Sequence, residues 1–290
     1  MKEVHEHGFV KLIDFMGNDE EVENAARISY GEGTRKVSQT RNLIRYLMRH
    51  KHTSPFEMCE VKFHIKLPIF VMRQLVRHRT ANLNEYSGRY SVMSDDFYFP
   101  KGENLKPQST TNQQGREEGE LGASTGELEF EIFRIFDGAT NAYRNLLDWN
   151  LARELARIVI PVASYTEVIW KIDLRNFFHF YHLRGDSHAQ DEIQDYANAM
   201  YELVKPKFPL CCEAFEDYVL NAKTFSEQEM AIIKDNLNGS WVMSKYGLSE
   251  RESREFLDKL TKESMMTRQQ AENDAMNEIL SKIPTKIYVG

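Results

Sequence analysis

The stretch Arg77-His78-Arg79-Thr80-Ala81-Asn82-Leu83-Asn84-Glu85-Tyr86-Ser87-Gly88-Arg89-Tyr90 gathers guanidinium, imidazole, carboxylate and hydroxyl groups in one short segment. Within it, Ser87-Gly88-Arg89 offers a hydroxyl, a backbone bare of side chain and a planar cation in succession. Backbone amides beside a glycine, together with an arginine able to bond bidentately, make a phosphate grip. From Arg73 to Tyr90 there are four arginines (73, 77, 79 and 89) against one acid, Glu85. The whole chain carries a net charge of −7. An acidic chain that concentrates arginine in one place points to a compact anion held there. Composition alone also allows a solvated basic turn with one salt bridge.

Other reactive side chains are sparse. Cys59 stands at the mouth of an alternating segment, and Cys211-Cys212 follow Pro209, with no basic partner nearby in sequence. They read as small buried hydrophobes rather than nucleophiles or a disulfide framework. Ser87 lacks the ordering of a Ser-His-Asp triad and reads as a hydrogen-bonding ligand. His179 and His182 lie three apart without a third ligand at suitable spacing, so no metal is expected. Their neighbours Phe177, Phe178, Phe180 and Tyr181 suit ring packing in a core.

These residues need elements to hold them. Val61, Phe63, Ile65 and Leu67 alternate with Lys62, His64 and Lys66, the period of a half-buried strand over Glu60–Leu67. Pro68 suits the first position of a helix predicted over Ile69–Arg77, with Phe70, Val71 and Leu75 inward and Arg77, His78 and Arg79 at its end. Residues 101–126 are polar and read as a long loop. Helices are predicted from Glu127 to about Trp149 and from about Leu151 to Val159, stopped by Pro161. A strand follows over Tyr165–Leu174, then helices over Asn176–Leu183 and His188–Val204, the last with Ile193, Ala197 and Met200 on one stripe.

At 290 residues, with 41% hydrophobic and 28% charged residues, the chain suits a globular protein able to bury a large core. No apolar run approaches the roughly twenty residues of a membrane span, and no secretory leader is visible, so a reducing cytoplasm is expected. The acidic balance argues against general nucleic-acid binding. The expected architecture is α+β, a mixed sheet flanked by long helices, with residues 1–220 as the catalytic domain. After about Val219 the character shifts. Ser226 with Glu229 and Ser249 with Glu252 have capping-box form, so 221–290 reads as a helical extension.

The order Arg-His-Arg, seven residues, then Ser resembles the signature of the flavin-dependent thymidylate synthases. Asn84-Glu85 and Gly88-Arg89-Tyr90 extend the match. His52-Thr53-Ser54-Pro55-Phe56-Glu57, Ala26-Arg27-Ile28-Ser29-Tyr30, Glu154-Leu155-Ala156-Arg157-Ile158-Val159-Ile160-Pro161 and Leu183-Arg184-Gly185-Asp186-Ser187-His188-Ala189-Gln190 resemble further blocks, all in the family's order across about residues 10–220.

The resemblance implies methylation of dUMP to dTMP, with 5,10-methylenetetrahydrofolate as one-carbon donor, reduced FAD as reductant and NADPH as electron source. It implies FAD contacts at Ser54, Arg77, His78, Arg79, Glu85, Asp173, Leu174, Arg175 and His179. It implies dUMP contacts at Gln74, Arg77, Glu85, Tyr86, Ser87, Gly88, Arg89, Arg157 and Arg184, in sites shared between subunits of a homotetramer. Arg184 matches the position that polarises the base through its N3–O4 edge, a route needing no enzyme thiol. Departures stand at Asn82, where many members have serine, and Asp173, where some have asparagine. The alternatives of other class are a flavin oxidoreductase without methyl transfer and a non-enzymatic nucleotide- or RNA-binding protein using the Arg73–Arg89 patch.

Overall fold

The computed structural model describes residues 1–28, 39–110, 115–228 and 251–252. By internal contacts the chain divides into two units, Met1–Ala222 and Lys223–Gly290. The capping boxes of the C-terminal extension, the Ser29-Tyr30 block and residues 111–114 of the long loop fall, wholly or in part, outside the described residues.

The first unit is built on a five-stranded sheet in the order β1 (Lys2–Val4), β2 (Gly8–Met16), β3 (Glu60–Pro68), β5 (Tyr165–Asp173), β4 (Asn82–Glu85). The α+β class is as expected, but every pairing is antiparallel rather than mixed. β3 and β4 run in the same direction on either side of β5, so each meets it antiparallel, which a strand pattern read one segment at a time does not reveal.

The central pair, β3 and β5, runs in unbroken register with Phe63 opposite Trp170 and Ile65 opposite Val168. The inward residues of β3 (Val61, Phe63, Ile65 and Leu67) and of β5 (Val168, Trp170 and Ile172) are all at most 1% exposed. Two helices cover that face: α7 (Leu174–Arg184) with Phe177, Phe178 and Phe180, and α8 (Asp191–Val204) with Ile193, Ala197 and Met200. The aromatic run is therefore core. Burying one such ring stabilises by about 2–3 kcal/mol, so these two helices are held firmly where their ends must present functional groups.

Several boundaries differ from the sequence expectation. The helix after β3, α4, covers Ile69–Leu75 and stops early, so Arg77, His78 and Arg79 lie in the turn beyond it. Pro68 ends β3 and caps α4 rather than opening it. The stretch expected as one helix to Val159 is a short α-helix, Arg153–Ala156, followed by a 3-10 turn, Arg157–Val159. The helix expected from His188 begins at Asp191. The long helix Thr125–Asp148 carries the capping box of Ser124 and Glu127 and buries only Tyr143.

Candidate functional site

The end of α4, the turn after it and the end of α7 meet. Arg184, the last residue of α7, donates from Nε to His78 Nε2 at 3.1 Å. The His78 ring stands edge-on to Phe180 at 5.0 Å and lies 6.4 Å from His179. Burial first, then the charges of Arg184 and His179, push the His78 imidazole down to about 4. His179 is lowered by burial, then by Arg175 and His182. Arg184 is lowered by burial and by Arg77 close by. Two guanidiniums from distant stretches thus crowd together. No carboxylate pairs with Arg77, Arg79 or Arg184 among the described residues, and Arg175 donates only to the Asn176 amide oxygen, at 2.7 Å. Cations held together without counter-charge store repulsion that an anion relieves.

A second group lies at the other end of α4. Ile69, Glu85, Tyr86, Gly88, Met93, Arg157, Ile160 and Thr166 line a cavity of about 160 Å³. Glu85 closes β4 opposite Val168, and its carboxylate accepts from the Thr166 hydroxyl at 2.9 Å. Tyr86 is fixed by its N–H donating to the Glu167 carbonyl at 2.8 Å and its hydroxyl donating to the Val92 carbonyl at 2.9 Å. Gly88 lets the turn sit close to the cavity wall: a Cβ would lie 2.8 Å from Met93 Sδ, which would have to shift, and 3.4 Å from Arg157 Cδ. Ser87 shapes the turn, its hydroxyl accepting from Arg89 N–H at 3.3 Å and its carbonyl from Tyr90 and Ser91 at 3.1 Å. Arg89 does not line this cavity; it is exposed and leans toward Glu154 at 3.7 Å and the Tyr90 ring.

The structure leaves these two groups apart within one chain. Ile69 borders the second, and Arg77 follows the other end of α4, roughly 10 Å away at 1.5 Å per residue. Gln74 belongs to the first end, donating to Gln190 Oε1 at 2.6 Å just ahead of α8. Ser54 lies elsewhere, opening the short helix Ser54–Glu57 and lining a cleft of about 1190 Å³ with Asn24, Tyr46, His52 and Met58. Leu174 is wholly buried with its N–H on the Cys59 carbonyl, so contact through its side chain is closed. Asp173 caps α7, both carboxylate oxygens accepting from Asn176, at 2.8 and 2.6 Å. Asn82 begins β4 opposite Lys171, with its side chain exposed.

Sequence reading assigned no role to Thr166, Met93 or the side chain of Gln190, and read Phe180 as core without placing it against His78. Thr166 sits in the alternation of β5 and Gln190 inside a matched block, but neither signal names a partner. The three cysteines are fully buried, as expected. Burial raises Cys59 to about 11 and Cys212 to about 12, and Cys211 lies well above the usual thiol range. Among the described residues, no group of three His, Cys, Asp or Glu is placed to hold a metal, and no helix is long and apolar enough to cross a membrane.

The fold is an antiparallel α+β layer that gathers at helix ends arginines with no carboxylate partner among the described residues, a grouping suited to anionic ligands. Residues 11–210 match the family described as thymidylate synthase complementing protein. Two curated relatives carry the name flavin-dependent thymidylate synthase. That of Ehrlichia ruminantium (strain Gardel) is 48% identical over 258 residues, 89% of this chain and 87% of the relative. That of Dictyostelium discoideum is 48% identical over 239 residues, 80% of this chain and 78% of the relative. A solved structure, a UMP/dUMP methylase from Streptomyces cacaoi bound with 5-Br dUMP, is similar with a TM-score of 0.64 at 33% identity, over 74% of this chain and 97% of that one. The chain belongs to the thymidylate synthase complementing protein family.

Proposed function

We propose that this chain methylates dUMP to dTMP, drawing the carbon from 5,10-methylenetetrahydrofolate and the reducing equivalents from reduced FAD, with NADPH as electron source. The observation that carries the reading is that Arg184 bonds His78, next to Arg77 in the chain, and that neither arginine has a carboxylate partner among the described residues. A nucleoside monophosphate and the FAD diphosphate both supply the missing negative charge. The relatives' names and the 5-Br dUMP held by the similar structure point to the same ligands.

The residues fit FAD. Arg77, Arg79 and Arg175 lack carboxylate partners among the described residues and suit a diphosphate. His78 and His179 stand together beside them, and Ser54 lines a cleft large enough for part of the cofactor. When bound, reduced flavin supplies the reducing equivalents. Gln74, Tyr86, Ser87, Gly88, Arg89 and Arg157 hold the nucleotide, with Glu85 touching both ligands. Arg184 meets the N3–O4 edge of the base, favours its anionic form and raises electron density at C5. Such a preorganised donor contributes about 3–4 kcal/mol. Thiolate attack on C6 would need an accessible, acidic cysteine, and the buried, raised thiols of this chain are the reverse of that.

The site is completed by other copies of the chain in a homotetramer. Support comes from the separation of the two arginine-bearing groups and from Thr125–Asp148, which leaves Phe130, Phe133 and Ile135 more than half exposed. Bare apolar area of that kind marks an interface.

The test is the purified protein's absorption spectrum before and after adding dUMP, then incubation with reductant, dUMP and methylenetetrahydrofolate. A flavin spectrum that dUMP perturbs, followed by dTMP, is expected. Flavin reoxidation without dTMP would favour the oxidoreductase instead. A colourless protein that binds RNA with steep salt dependence would favour the nucleic-acid reading.

A further inference from the structure

We infer that His78 is a positioning residue: neutral, with its proton on Nδ1, it accepts the Arg184 Nε–H and holds the Nη1–Nη2 edge of that guanidinium toward the bound base. This deepens the reading of Arg184 given above and rests on it. An arginine only donates, so the nitrogen 3.1 Å from Arg184 Nε has to present a lone pair. An imidazolium has none, and the tautomer protonated on Nε2 points a hydrogen at another hydrogen. The proton of a neutral His78 therefore sits on Nδ1.

The surroundings enforce that state. His78 is the member of the Arg-His-Arg triplet that turns inward, while Arg77 and Arg79 stay exposed. The titratable and charged groups around it are Arg184 and His179 from α7, with Arg77 beside it in its own turn. It has no carboxylate partner among the described residues. Burial and these neighbours all oppose a proton on the ring. Phe180 and Arg184 are four apart on α7 and so share a face. The fully buried Phe180 packs edge-on against the His78 ring and, at 5.1 Å, against Trp170 in the sheet. The ring plane is thus referenced to the rigid core rather than to the mobile stem of an arginine. With Nε engaged, the edge left to Arg184 is its paired Nη donors, suited to two adjacent acceptors such as O4 and a deprotonated N3. No other hydrogen bond occupies it among the described residues.

Two measurements decide this. In the first, full-length protein labelled with nitrogen-15 at histidine is followed by NMR from about pH 7.5 to 5, with His78→Gln identifying the His78 signals. The expected result is a neutral Nδ1–H tautomer throughout. An Nε2–H tautomer, or an imidazolium forming near the ordinary histidine pKa, overturns the inference. In the second, dUMP affinity and turnover are compared in His78→Leu, His78→Gln, Arg184→Ala and the double variant His78→Leu with Arg184→Ala. His78→Leu is expected to lower kcat per flavin-loaded molecule about 10- to 100-fold, the range of one lost bond to a charged group. His78→Gln, which keeps an acceptor, restores most of the loss. His78→Leu adds little once Arg184 is gone, because it acts through that residue. An equal loss in both backgrounds overturns the inference, as does a His78→Gln variant no better than His78→Leu. Should the native protein make no dTMP, the functional reading fails by itself, while the tautomer still decides the bond.

Discussion

Two arginine clusters with similar sequence signatures behave in opposite ways. In α2 (Thr40–Arg49), Arg41, Arg45 and Arg49 face the helix Pro209–Phe215 and the turn after it. Arg41 bonds Glu213 at 2.5 Å, Arg45 bonds Asp217 at 2.5 Å and Glu213 at 3.3 Å, and Arg49 reaches the Tyr218 hydroxyl at 3.1 Å. Arg41 and Arg45 are answered by carboxylates, Arg49 lies over the Tyr46 and Tyr218 rings, and Arg45 is buried among its partners. Around Arg77 and Arg184 no such answer exists among the described residues. The first cluster stitches two helices together. The second has no carboxylate of its own among the described residues. Arginine content alone does not separate the two; the carboxylates that fold back onto one cluster and not the other do.

The sharpest way to break this contrast is to remove one arginine from each. Arg184→Ala is expected to retain flavin and lower Tm by about 4 °C or less, because it leaves only the half-buried His78 Nε2 without its donor and no carboxylate unpaired among the described residues. Its turnover should fall about 100- to 1000-fold. Normal turnover with bound flavin would remove Arg184 from the chemistry.

Arg45→Met should do the reverse. Losing bonds to Asp217, Glu213 and Tyr218 costs about 2–3 kcal/mol, or roughly 5–10 °C in Tm. Activity per folded molecule should be unchanged. A thermal melt and a specific-activity assay check both halves, and an unaltered Tm would mean the stitching carries no stability.

Ser87→Ala should lower activity by roughly tenfold or less, the effect of one neutral hydrogen bond. Complete loss would give Ser87 a role beyond that of a ligand. The smallest effect expected is electrostatic. Glu213 is held below its ordinary pKa chiefly by the Arg41 hydrogen bond, with Arg41 and Arg45 charges adding to it. A lowered folded-state value means the stabilisation is present above the unfolded carboxylate pKa of about 4.3 and disappears as pH falls through the lower folded value. Denaturant midpoints of the native protein and Glu213→Gln should therefore converge as pH falls below the unfolded carboxylate pKa of about 4.3. Equal spacing of the two curves across that fall would show the pair to be inert.

The elements of this protein were unequally visible in its residues. The alternation of β3 is explicit because one face is buried and the other is not. By contrast β4, Asn82–Glu85, has all four side chains exposed and no apolar alternation. It is a strand because β5 offers it an edge. The early end of α4 is equally silent, since Val76 and Arg77 are acceptable helix formers. The same limit governs the site. The triplet at 77–79 is conspicuous by composition, yet nothing local states that its histidine turns inward against Phe180. Asp173 also caps α7, a role its local sequence does not state.

By itself the sequence determined the central strands, the aromatic face of α7, the burial of the cysteines and the residue types able to grip an anion. All of these follow from local periodicity and side-chain chemistry, which neighbours in the chain express directly. Only the tertiary structure decided the antiparallel order of the sheet, the separation of the Arg77–Arg184 group from the Glu85–Arg157 cavity, and which arginines go without a carboxylate. Those depend on meetings between segments about a hundred residues apart. Such meetings are set by how helices pack on the sheet, and no local pattern encodes them.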